Sequence, residues 1–122
     1  MKKILILVLT FTAVQLRAQL PELSFGQVIR HEQFPSAFVS PRNVDVWLPD
    51  GYSTGKEYAV LYMHDGQMLF DANLTWNKQE WGVDETIGKL MGGKSIRECI
   101  VVAIWNTDRK STRLNSSHVS QS

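Results

Sequence analysis

Residues Tyr58–Phe70 read YAVLYMHDGQMLF. An apolar run, Ala59–Met63, ends abruptly in His64-Asp65-Gly66-Gln67. With Tyr58 it makes a strand candidate, Tyr58–Met63: short, continuous runs of this kind, rich in β-branched and aromatic residues, belong to strands covered on both faces, as in a parallel sheet. Ile100–Trp105 is a second such run. Between the two, Val83, Ile87, Leu90 and Met91 recur at i, i+4, i+7 and i+8, which makes one apolar helical stripe. Asp84 and Glu85 occupy its first turn, where the macrodipole favours negative charge. Gly92-Gly93 stand where a left-handed cap would end it. Strand, helix and strand in this order form a βαβ unit with an expected right-handed crossover, so the fold class is α/β with a mixed, mostly parallel sheet.

Working outward, Asn43–Leu48 (NVDVWL) alternates strictly. Val44, Val46 and Leu48 fall on one face and Asn43, Asp45 and Trp47 on the other, which predicts a half-buried strand closed by a Pro49-Asp50-Gly51 turn. Phe25–His31 is a further strand candidate. The connection from Gly66 to Gly82 is long for a βαβ unit, and long ordered connections usually serve binding or catalysis. It leaves the C-terminal end of a strand, where open α/β sheets place their ligands.

Both ends of the chain stand apart from this pattern. Lys2-Lys3, then ILILVLTFTAV, then a small residue at Ala18, read as a bacterial export signal over residues 1–18. Leu16 is not the small residue preferred before such a cut. The apolar run is too short for a stable membrane span, and export places the mature protein in the periplasm or outside the cell. At the other end, Asp108–His118 (DRKSTRLNSSH) matches, codon by codon, the translation of a common sequencing adapter. Residues 108–122 are therefore expected to be a non-native tail without regular structure, leaving 19–107 as the domain. The formal charge of +1 falls to −4 once the +3 of Lys2, Lys3 and Arg17 and the +2 of Arg109, Lys110 and Arg113 against Asp108 are set aside. An acidic domain gives no electrostatic reason to expect nucleic acid.

Several patterns carry less than they first suggest. Gly88–Ser95 (GKLMGGKS) satisfies the phosphate-loop pattern, but that mechanism needs a strand before the loop and a helix after it. Here the helix comes first. The single cysteine, Cys99, excludes an internal disulfide and any multi-cysteine metal site, and it reads as a small buried hydrophobe. His64 and Asp65 are neighbours on an extended chain and point apart, His31 is distant, and nothing has metal-ligand spacing.

His64-Asp65-Gly66-Gln67 therefore has two readings. One is a polar turn in which Gly66 supplies an unusual backbone angle. The other is chemical. Acyl transfer needs backbone N–H donors aimed at the oxyanion of a tetrahedral intermediate. In α/β-hydrolases one donor comes from the loop after the third strand and another from the residue after the nucleophile.

The pieces RNVDVWLPDGY, YAVLYMHDGQMLFD, WGVDETIGKL and IVVAIWN, in this order and spacing, resemble the putative-esterase family of α/β-hydrolases. That family includes enterochelin, feruloyl and acetyl-xylan esterases, esterase D and mycolyltransferases. The resemblance covers about Arg42 to Asn106. It implies a Ser-His-Asp/Glu triad, no cofactor and no metal. It places the Gln67 backbone N–H, next to Gly66, as the first oxyanion donor. It puts Asp65 and His64 at the substrate pocket and Trp105-Asn106 at the tip of the next strand; Trp76 and Trp81 either form an apolar or sugar-stacking wall or pack the connection onto the sheet. The implied partner is a small-molecule or carbohydrate ester.

The sequence departs from the family where it matters most. It contains no G-x-S-x-G, and Ser95 in GGKSIR is not a nucleophile elbow. The acid and base that should follow are missing as well, and His118 lies in the adapter-like tail. The expectation is an exported serine esterase represented here by its oxyanion half, inactive as it stands. A non-catalytic sugar-binding member of the fold and an acyltransferase are the alternatives.

Overall fold

The computed structural model of the protein describes residues 18–107. The export-signal and tail expectations lie outside them. Along the described chain run β1 (Gln27–Phe34), β2 (Arg42–Leu48), β3 (Ala59–Met63), α1 (Val83–Gly92) and β4 (Cys99–Ile104). The two apolar runs pair in parallel, Leu61 opposite Val101 and Met63 opposite Ala103, with α1 in the crossover. β4 also pairs antiparallel with β2, and β2 with β1, so the sheet order is β1-β2-β4-β3.

Among the described residues one of the three pairings is parallel, which corrects the mostly parallel expectation. The connection from β1 to β2 is short and holds no helix, so the two strands pair antiparallel. A parallel pair needs a crossover, and only the β3–β4 connection contains one.

Register decides which side chains share a face. Val28, Arg30, Asp45, Trp47, Leu61, Met63 and the alternate β4 residues Cys99, Val101 and Ala103 point to one side. There α1 and the 66–82 connection cover most of them, Leu61 at the sheet edge staying exposed, and Trp47, Leu69, Val101 and Ala103 are sealed from water. The opposite side carries Ile29, Val44, Val46, Val60, Tyr62, Ile100, Val102 and Ile104 and stays partly or largely open. Two expectations change with this. β3 is not covered on both faces: Val60 and Tyr62 are 46 % and 68 % exposed. In β2 the deeply buried side is Asp45 and Trp47, not the Val44–Val46 side. Alternation gave the two faces correctly but could not say which one meets the helix.

The helix differs in the same way. Val83 and Ile87 are buried and Met91 packs on the core, but Leu90 is half-exposed. The other buried row is Asp84, with Gly88 one turn on. A strap formed by residues 19–25 lies along it. Phe25 packs so closely on Gly88 that a Cβ there would stand 2.5 Å from its ring. At the helix end neither Gly92 nor Gly93 is left-handed; Lys94 is, at φ 56°. Ser95 N–H donates to Leu90 O at 2.8 Å and Lys94 N–H to Met91 O at 3.0 Å, which is the Schellman pattern with lysine at its left-handed position. That arrangement uses Gly88–Ser95 entirely as a helix end. Cys99 is buried, and burial pushes its thiol pKa up.

Carboxylates hold the strap. Asp71 accepts from Glu22 N–H at 2.9 Å, and Asp84 Oδ2 accepts from Ser24 N–H at 2.7 Å and Phe25 N–H at 3.4 Å. Burial pushes the Asp84 carboxyl above its ordinary range against the pull of the Ser24 amide, and neighbouring Glu85 adds to the rise. Asp84 Oδ1 and Glu85 Oε2 are both buried without a donor. A raised pKa favours the folded state at low pH and costs stability as pH rises through it. Asp84→Asn keeps an acceptor for the two strap amides and is neutral at every pH, so strap protection from chymotrypsin at Leu23 and Phe25 should be retained at pH 7. Asp84→Ala leaves both amides without that acceptor, at about 1–3 kcal/mol for an unsatisfied buried group, and should expose the same bonds to cleavage. Limited proteolysis with peptide mapping reads both outcomes.

Candidate active site

At the C-terminal end of β3 the chain turns at once. Asp65 takes the left-handed conformation, φ 53°, and Gly66–Met68 form a single 3₁₀ turn closed by Met68 N–H to Asp65 O at 2.8 Å. The unusual angle therefore belongs to Asp65 and not to Gly66. What Gly66 supplies is closeness. A Cβ there would stand 2.8 Å from the carbonyl carbon and oxygen of Ala103 and from Cδ1 of Trp105. The turn lies directly on the end of β4, so the missing side chain makes room for the sheet. Gly66 and Gln67 open the turn, and their N–H groups have no partner within it.

The neighbouring strand end clamps this turn. Asn106 N–H donates to Gln67 Oε1 at 3.1 Å, and Asn106 Nδ2 reaches Asp65 Oδ1 at 3.4 Å. Asp65, Gly66, Gln67 and Asn106 thus share one edge of the sheet. His64 is exposed beside them. The connection then dives back: Leu69 and Phe70 enter the core, Asp71 caps a second 3₁₀ turn at Ala72–Leu74, and Trp81 N–H returns to Met68 O at 3.0 Å. Trp76 and Trp81 are 66 % and 58 % exposed, so their rings do not pin the connection to the sheet. Ser95 sits in the helix-end cap and is remote in sequence from the turn.

Arg30 and Asp45, which the sequence reading left unassigned, lie under the turn. Their side chains form a bidentate pair, with Arg30 Nε to Asp45 Oδ1 at 2.7 Å and Nη2 to Oδ2 at 2.8 Å. Both are nearly sealed, at 6 % and 2 % side-chain exposure. Arg30, Asp45, Gly66, Gln67 and Trp105 share a cavity of about 20 Å³. This holds roughly one water and no ester substrate. The signal that could have revealed the pair was a charged residue at the centre of an otherwise apolar strand, facing the same way as a tryptophan.

Among the described residues no group of three or more His, Cys, Asp or Glu is placed to hold a metal ion. Nor is any described helix long and apolar enough to cross a membrane.

The family model described as Putative esterase matches residues 36–121. The chain belongs to that family. The match begins ahead of β2, takes in the turn after β3 and the whole βαβ unit, and runs past the last described residue. Neither a comparison with curated proteins nor one with solved structures returned a match. The family membership and the mixed sheet with its crossover helix fit a partial α/β fold, and they make this an esterase-family chain. On the edge carrying Asp65, Gly66, Gln67 and Asn106, the two opening N–H groups of the 3₁₀ turn lie beside polar side chains.

Proposed function

We propose that the chain is the N-terminal part of an exported serine esterase in which Gln67 N–H is the first oxyanion donor. The observation that carries the reading is the turn itself. In a chain of the esterase family, a 3₁₀ turn whose two opening N–H groups have no partner within it stands at the C-terminal end of a parallel strand, and Asn106, just past the next strand, holds its Gln67 side chain. A fixed donor that needs no reorganisation is what acyl transfer requires. The serine, its acid and its histidine lie on sequence beyond Asn106. The edge of β3, which has no strand beside it among the described residues, is where the strand carrying the serine adds to the sheet. The serine attacks the ester carbonyl, histidine takes its proton, and the tetrahedral oxyanion is held by Gln67 N–H and by the N–H after the serine.

Exposed Trp76 and Trp81 on the connection leaving the turn favour an acyl group or sugar that presents a flat apolar face. This supports acylated carbohydrates as the substrate class. The same observation keeps two further readings open, a sugar-binding member without the serine and an acyltransferase. The native gene decides among them. Its sequence past Asn106 should contain G-x-S-x-G followed by an acid and a histidine. The complete protein should hydrolyse p-nitrophenyl acetate and take up one fluorophosphonate on that serine. A native gene without the serine would sink the esterase reading in favour of binding alone. Preferential transfer to an added alcohol over water would identify a transferase.

A further inference from the structure

We propose that Arg30, Asp45 and Trp105 form a positioning unit that sets the Gly66–Gln67 turn, with the Trp105 ring as its floor. The inference rests on the oxyanion reading of that turn. Asp45 Oδ2 accepts from Trp105 Nε1 at 3.0 Å, while the Arg30 guanidinium lies 4.6 Å from the ring centroid. The indole is therefore fixed along its N–H edge by a carboxylate and across its face by a cation. Its Cδ1 is one of the atoms that a Cβ on Gly66 would meet at 2.8 Å. Nothing separates the ring from the backbone of the turn. The next residue, Asn106, holds the Gln67 side chain through its own N–H. Any tilt of Trp105 is therefore passed on to both residues whose N–H groups open the turn.

Stability alone is a poor reason for such a pair. A buried ion pair is often no more stabilising than well-packed apolar residues in its place. What it does supply is direction. A guanidinium presents a rigid plane with its donors in a fixed fork. Two of its nitrogens hold Asp45, and Nη1 reaches Gln19 O at 2.8 Å, which fixes the plane against the ring. Arg30 and Asp45 have no room for substrate beside them, so they act through the indole and are not catalytic residues. Oxyanion stabilisation depends on donors held in place before the reaction, and a misplacement of about 1 Å can cost about a hundredfold in rate.

The test uses the complete esterase and the variants Arg30→Lys, Trp105→Phe and the double variant. Arg30→Lys keeps the charge and loses the plane; Trp105→Phe keeps a ring and loses the bond to Asp45. Each should lower kcat tenfold or more on p-nitrophenyl acetate with KM changed less than twofold. In the Trp105→Phe background, Arg30→Lys should have little further effect, because its route to the turn is already gone. An undiminished effect of Arg30→Lys in that background would overturn the proposal, as would wild-type kcat in Trp105→Phe. A second readout needs no activity. In Arg30→Lys the indole is chemically unchanged, so movement of the ring shows as shifted amide resonances of Gly66 and Gln67. Unmoved resonances count against the positioning unit. Shifted resonances in a protein that hydrolyses nothing would keep the unit and remove the esterase reading instead. Should Arg30→Lys fail to fold, kcat and KM of Trp105→Phe decide alone.

Discussion

Replacing Gly66 by valine in the complete esterase is expected to lower kcat by about a hundredfold or more. Two effects combine. The turn sits on β4 with no space for a side chain, since a Cβ would stand 2.8 Å from backbone atoms of Ala103. Backbone does not give way as a side-chain tip would, so the turn must lift off the strand end. That movement takes the Gln67 N–H with it, and loss of one oxyanion donor costs about 2.7–4 kcal/mol of transition-state stabilisation. The collision also costs folding stability, on the order of 1–3 kcal/mol as for other overpacked sites. The comparison should therefore be made well below the melting temperature of the variant. Substrate binding made elsewhere should survive, so KM should move much less than kcat. Gly66→Ala meets the same atoms with a smaller group and should fall between. An unchanged kcat in a folded Gly66→Val protein would remove this turn from the oxyanion site.

The second large effect concerns residues 19–107 made alone. They are expected to hydrolyse no p-nitrophenyl acetate above background and to elute in size exclusion as a self-associated species. The chemical part follows from the missing triad, because covalent acyl transfer needs an activated nucleophile. The physical part follows from the sheet. β3 is an edge strand with Val60, Leu61 and Tyr62 each more than 40 % exposed. Its outer N–H and C=O groups have no strand beside them among the described residues. The side of the sheet away from α1 is apolar from Ile29 to Tyr62. An exposed apolar edge templates pairing with another chain. Lysines at positions 60 and 62 should reduce association, because charge on an edge strand opposes such pairing. A monomeric peak with a cooperative melt would show that this part is autonomous and needs no further strand. Saturable hydrolysis by the same sample would point to a nucleophile within it, Ser95 first.

Much of this architecture was legible from local pattern. Tyr58–Met63, Asn43–Leu48 and Ile100–Trp105 could be read as strands because hydrophobic periodicity is a property of a short window. The helix from Val83 was legible for the same reason. The turn at Asp65-Gly66-Gln67 was legible because polar residues break an apolar run at a place where strands end. The four quoted pieces together were enough to indicate the esterase family, which the match over residues 36–121 shows.

Tertiary structure decided what a window of sequence does not contain. Alternation in NVDVWL separates two faces, but both carry apolar residues. Only the position of α1 made Asp45 and Trp47 the deeply buried pair. Arg30 and Asp45 meet through cross-strand register, and Trp105 joins them from a third strand end, so no spacing within one segment could announce their contact. The reason for Gly66 was of the same kind. Its sequence neighbours suggested a special backbone angle, and the angle went to Asp65. The glycine is required by β4, a strand that arrives some forty residues later and passes too close for any side chain. Periodicity records how each segment divides water from core, whereas the site is made where separate segments touch, and that depends on their relative placement.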